Sequence, residues 1–197
     1  MKIIPKCILK YLHIAVIIAF CIFLNLAGKH FTSTVNAPLW LDSCGTLLAS
    51  LILGPIAGSI SGIVSFLVFF ADTPIYWLYA LSAIPCSVIV SLMYHNTGIT
   101  DAFQFVCTGA LLSIAACSVA IPVNLLINHG YIGNIWGNAL IDMLKQSGNG
   151  SAFSCFFGQA FIEIPDKITS LFLTFVIYPL LIKIFKKGEH KENEETN

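Results

Sequence analysis

The chain has 197 residues, 57% of them hydrophobic and 10% charged, and its ten cations balance its ten acids to a formal net charge of zero. A mean hydropathy of +0.85 is outside the range of an ordinary soluble domain, and the charge balance gives no footprint for nucleic acid. The composition predicts one all-α membrane domain over residues 1–188 and a short polar cytoplasmic tail, residues 189–197, too rich in charge to bury anything and expected to be disordered.

Each membrane span needs roughly 20 apolar residues. The apolar runs predict a bundle of six transmembrane helices near residues 11–28, 39–53, 56–71, 75–94, 102–127 and 153–185. The second and third runs are short and separated only by Gly54-Pro55, which suits tilted or partly re-entrant helices. Every cation is lysine. Lys2, Lys6 and Lys10 precede the first span, and Lys183, Lys186, Lys187 and Lys191 follow the last, so the positive-inside rule places both termini in the cytoplasm. Lys29 and Lys145 fall in outer loops. The first apolar run is longer than a secretory h-region and lacks a convincing cleavage site, so it reads as a span.

Small residues mark close helix approaches in lipid. Ala15 and Ala19 form an A-x-x-x-A step on the first span, and Gly54, Gly58 and Gly62 repeat at four-residue spacing into the third, a stripe expected to pack internally. Seven cysteines lie mostly in apolar segments with no metal-like spacing and read as small hydrophobes.

Polar residues from several spans converge at one depth, the outer boundary of the hydrocarbon. Asn25 and Lys29 end the first span, Trp40 and Asp42 open the second, and Asp72 ends the third. Trp77 and Tyr79 open the fourth, and Asn124 and Asn128 end the fifth. The cluster Glu163-Ile164-Pro165-Asp166-Lys167 heads the last long apolar stretch, and ionisable groups at such a place face a cavity or a partner. Together they predict an outward-facing cup. Each has a plainer reading as well: Glu163 and Lys167 suit a helical ion pair, Asp166 a solvated interfacial group, Asp42 a helix cap, Asp72 a turn, and the aromatics an interfacial belt.

Between the fifth and sixth spans, residues 131–145 place Ile132, Ile135, Trp136, Ala139, Leu140, Met143 and Leu144 on one helical face and Asn134, Asn138 and Asp142 largely on the other. This amphipathic helix is expected either to lie among headgroups or to fold over the cup, with Gly148-Asn149-Gly150-Ser151 as a hinge. There is no phosphate-binding loop, no H-E-x-x-H and no G-x-S-x-G, and the five histidines are scattered. Glu163 and Asp166 have no nucleophile or metal beside them in the sequence, so the chain reads as neither an enzyme nor a metal protein.

Leu41-Asp42-Ser43-Cys44-Gly45-Thr46, then Leu53-Gly54-Pro55-Ile56-Ala57-Gly58 and Gly62, and finally Glu163-Ile164-Pro165-Asp166-Lys167 resemble the S components of energy-coupling factor (ECF) transporters. The resemblance covers nearly the whole chain. It implies a multi-pass protein of the bacterial cell membrane that captures a vitamin or similar heterocyclic micronutrient at its outer face. It also implies that no cofactor is held in this chain, since ATP is used by two ATPase partners joined through a transmembrane coupling subunit. In that family an alanine-rich first helix docks the coupling subunit, which Ala15 and Ala19 match. Related patterns also occur in membrane sensor domains, so a ligand-sensing module signalling through a separate partner is the alternative.

Overall fold

The computed structural model describes the backbone of residues 6–195 and the side chains of residues 11–183. Lys2 lies outside the described residues, as do the side chains of Lys6, Lys10, Lys186, Lys187 and Lys191, on which much of the orientation argument rests. The described backbone is all-helical: α1 Lys6–Thr34, α2 Cys44–Leu53, α3 Pro55–Phe69, a 3₁₀ helix Pro74–Ser82, α4 Ala83–Thr97, α5 Ala102–Ile127, α6 Ile135–Gln146 and α7 Ser151–Glu195.

Three stretches, Tyr11–Thr34, Pro74–Thr97 and Ala102–Ile127, are long and apolar enough to cross a membrane, which makes this a membrane protein. The helices α2 and α3, of 10 and 15 residues, are shorter apolar elements. They are divided at Gly54, whose φ of +92° is open to glycine and strained for other residues. Pro55 then begins α3, where its missing N–H is no loss.

α2 forms the centre, touching α1, α3, α4 and α7, and is buried from Cys44 to Ser50. Leu47 joins Cys86, Val90, Leu112, Ala116 and Leu171 in one core, while Leu48 and Ala49 meet Ile17 and Cys21 in another. Small residues permit this crowding. A Cβ at Gly58 would meet Ser50 Oγ at 1.8 Å, and one at Gly62 would meet Ala83 Cβ at 2.5 Å, so both belong to the expected internal stripe. Gly54 has open space around it and serves the turn instead.

One element expectation changes. The fourth span opens as a 3₁₀ helix and becomes α-helical only from Ala83. The helix α7 continues through Glu195. Lys and Glu have good helix propensity, and extending a helix already formed avoids the cost of nucleation. Large apolar side chains such as Phe23, Val68, Phe103, Leu126 and Phe172 stand exposed around the bundle, as lipid contact requires.

Candidate functional site

A cavity of about 570 Å³ opens between the α1–α2 connection, α3, the 3₁₀ helix, α5, α7 and the turn before α6. Eight predicted residues line it: Lys29, Trp40, Asp42, Tyr79, Asn124, Asn128, Glu163 and Lys167. The other three do not.

Asn25 borders only a neighbouring crevice of about 10 Å³ and is 1% exposed. Its Oδ1 accepts from the backbone N–H groups of Gly45 at 2.7 Å and Thr46 at 3.3 Å, and its Nδ2 donates to Thr46 Oγ1 and Ser65 Oγ. It therefore caps α2 from a different helix. That is possible because α1 and α2 nearly touch: a Cβ on Gly45 would fall 1.8 Å from Cys21 O. The residue before α2, Ser43, makes no side-chain cap, and Asp42 is turned to other partners.

Trp77 is 41% exposed and donates to Phe70 O at 3.0 Å, outside the cavity lining. Tyr76 and Tyr79 line the cavity in its place. With three residues per turn in a 3₁₀ helix, positions i and i+3 eclipse, so Tyr76 and Tyr79 share the face from which Trp77 is turned away. Asp72 is exposed in the turn after α3 and fits its plainer reading.

The charged residues form one buried cluster. Lys29 Nζ lies 3.2 Å from Asp42 Oδ2 and 3.7 Å from the centroid of the Trp40 ring, so its charge is met by a carboxylate and an aromatic face. Lys167 Nζ sits among three carboxylates: Asp166 Oδ2 at 2.7 Å, Glu163 Oε2 at 3.1 Å and Asp42 Oδ1 at 3.9 Å. It also donates to Ser43 Oγ at 2.8 Å. Among the described residues, no group of three or more His, Cys, Asp or Glu side chains is placed to hold a metal ion. Here an ammonium occupies the middle of the acids.

Asp166 is not a solvated interfacial group. It is fully buried, and its Oδ1 accepts from the backbone N–H groups of Trp40 at 3.0 Å and Leu41 at 2.6 Å. These bonds tie the α1–α2 connection to α7 and so position Trp40 and Asp42 against Lys29. Leu41 itself has φ +51°, an unfavourable conformation held by this anchoring.

A second wall is a line of amides and phenols. Tyr76 Oη donates to Asn128 Oδ1 at 3.4 Å, Asn128 Nδ2 to Tyr79 Oη at 3.0 Å, and Tyr79 Oη to Asn124 Oδ1. Asn124 Nδ2 donates to Gln159 Oε1 at 2.8 Å, and Gln159 Nε2 to Glu163 Oε1 at 2.9 Å. Sequence reasoning missed Gln159, although a polar residue one helical turn before Glu163 in an apolar stretch was a signal. It also missed Phe66, Phe69 and Phe70, aromatics on an apolar helix that give no hint of which face lines a cavity.

Comparison with protein-family models, with curated proteins and with solved structures found no match. The site must therefore be read from its own chemistry: an aromatic-walled cavity with convergent polar groups at buried helix positions suits one small, flat, polar molecule.

The elements around the cavity also explain α6. Asn134 caps it by accepting from Trp136 N at 3.0 Å, and Asn138 accepts from Ile132 N at 2.9 Å while lining the cavity. The face that meets α7 is that of Gly137 and Ile141, with a Cβ on Gly137 only 3.1 Å from Gly158 O. Ile135, Trp136, Ala139 and Met143, assigned to the apolar face, are exposed. Thus the element closes one side of the cavity and presents an apolar stripe outward. On α1, Ala15 and Ala19 lie on the exposed face.

Proposed function

We propose that this chain is the substrate-binding S component of an ECF-type transporter, without enzymatic activity of its own, taking up a vitamin or related heterocyclic micronutrient. In this reading it crosses the bacterial cell membrane six times with both termini in the cytoplasm, and the cavity opens outward. A transmembrane coupling subunit docks on the α1 face carrying Ala15 and Ala19, and two ATPase subunits supply the energy.

The observation that carries the reading is the coincidence of eight residues singled out in the sequence, from separate segments, around one cavity of about 570 Å³ in an all-helical membrane protein. A purely structural set of ion pairs has no need of such a space, nor of an aromatic wall beside it. The exposed small residues Ala15 and Ala19 on α1 add a place where another helix can approach closely.

Affinity purification from native membranes tests this reading. Recovery with a coupling subunit and two ATPases is expected. Exclusive recovery with a signalling kinase would overturn transport in favour of sensing.

A further inference from the structure

Three carboxylates and two ammonium groups share the buried cluster beside the cavity. Lys29 is matched by Asp42 at 3.2 Å, and Lys167 has its shortest contact, 2.7 Å, with Asp166. Glu163 is the remainder. Its side chain is 7% exposed and its Oε2 lies 3.1 Å from Lys167 Nζ as an ion pair but has no hydrogen-bond partner, while Lys167 directs hydrogen bonds to Asp166 and Ser43.

The wall of amides and phenols bears on the charge of Glu163. All five hydrogen bonds from Tyr76 through Asn128, Tyr79, Asn124 and Gln159 run in one sense and end on Glu163 Oε1. Donors aligned head to tail polarise one another and favour a negative terminal acceptor. With Glu163 ionised, the cluster holds three carboxylates against two ammonium groups, and a buried charge without its full complement is costly.

We propose that the ligand supplies the missing positive charge: it is a flat, aromatic-sized molecule bearing a protonated nitrogen or an amidine-type N–H donor, bound with that group against Glu163. The ring lies along Phe66, Phe70 and Tyr76, where an aromatic cation is favoured over a neutral analogue. Lys29 does not make the cavity an anion site, since Asp42 and the Trp40 face already meet its charge. This assignment rests on the proposed reading of the cavity as a ligand site and deepens it.

Calorimetry on the purified full-length protein in nanodiscs, with benzamidinium, benzamide and benzoate as probes of matched shape, tests it. Benzamidinium is expected to bind at least about tenfold more tightly than either of the others, as a charge-assisted hydrogen bond predicts. The Glu163→Gln variant should bring the three to within about twofold, because it keeps shape and removes charge. Benzoate binding as well as or better than benzamidinium, an unchanged preference in Glu163→Gln, or no saturable binding of any probe would overturn the proposal. The wild-type ranking requires no variant and decides the matter if Glu163→Gln does not fold. Association with the coupling subunit is a separate readout. Cation preference without association removes the transport reading and keeps the charge assignment, whereas association with benzoate preference does the reverse.

Discussion

Lys167 is the residue on which the site turns, because one ammonium serves α7, the α1–α2 connection and the cavity together. A surface pair of Glu163 and Lys167 would contribute no more than about 1 kcal/mol and would partly re-form on exchanging the two residues. The observed Lys167 instead binds Asp166 and Ser43 as well as approaching Glu163. The double exchange Glu163→Lys with Lys167→Glu therefore leaves Asp166 facing a new carboxylate, and thermal unfolding in detergent should find it at least as unstable as Lys167→Ala. Recovery to wild-type stability would reduce the pair to a simple bridge. Asp166→Ala should also be damaging, losing on the order of 3 kcal/mol, because it removes the shortest ion-pair contact of Lys167 and leaves the N–H groups of Trp40 and Leu41 without their acceptor. Sequence reading recognises all three of these charged side chains but offers Asp166 only a solvated interfacial place. Its role depends on a backbone loop more than a hundred residues away in sequence, and no local pattern encodes that contact.

At the level of elements, spacing in the sequence was informative where the period was regular and misleading where it changed. The glycine stripe was legible because a four-residue repeat means one helical face whatever the neighbour. Gly62→Leu should cost about 1–3 kcal/mol by forcing α3 from α4 and α2, read as a lowered melting temperature in detergent. Gly54→Ala has room for its methyl group but not the backbone conformation, and should cost about 1 kcal/mol. Trp77 was misplaced because the segment was taken as α-helical, and a 3₁₀ helix rotates each residue by 120° instead of 100°. The α6 face was misassigned for a different reason. Two glycines let its backbone lie against α7, and glycine carries no weight in a pattern of apolar side chains. On α1 the exposed Ala15 and Ala19 take no part in the bundle's packing, so replacing both with leucine should leave melting temperature and benzamidinium binding unchanged. Association with the proposed coupling subunit should fall by at least about tenfold in the same variant, through loss of close helix approach. Unimpaired association would place the docking face elsewhere.

For the molecule as a whole, the proposed function depends on which side of the membrane the cavity faces, and lysine placement is the basis of the proposed orientation. Lys29 borders the cavity at one end of α1, while Lys183 lies far along α7 from the Glu163 cluster; roughly 20 residues separate the latter two positions, about one hydrocarbon thickness. In the proposed six-span topology the cavity and the basic end of α7 belong to opposite faces of the bilayer. Lys29 itself is a poor site for testing this, since it is 7% exposed and paired with Asp42. Gln146, at the end of α6, and Thr97, at the end of α4, are exposed and should lie on opposite sides. In intact cells carrying a variant without native cysteines, a membrane-impermeant maleimide should label Gln146→Cys and spare Thr97→Cys. Permeabilisation should expose both. Labelling of Thr97→Cys alone in intact cells would turn the cavity toward the cytoplasm, where neither the aromatic wall nor the charged cluster serves capture from outside, and uptake would no longer follow from this architecture.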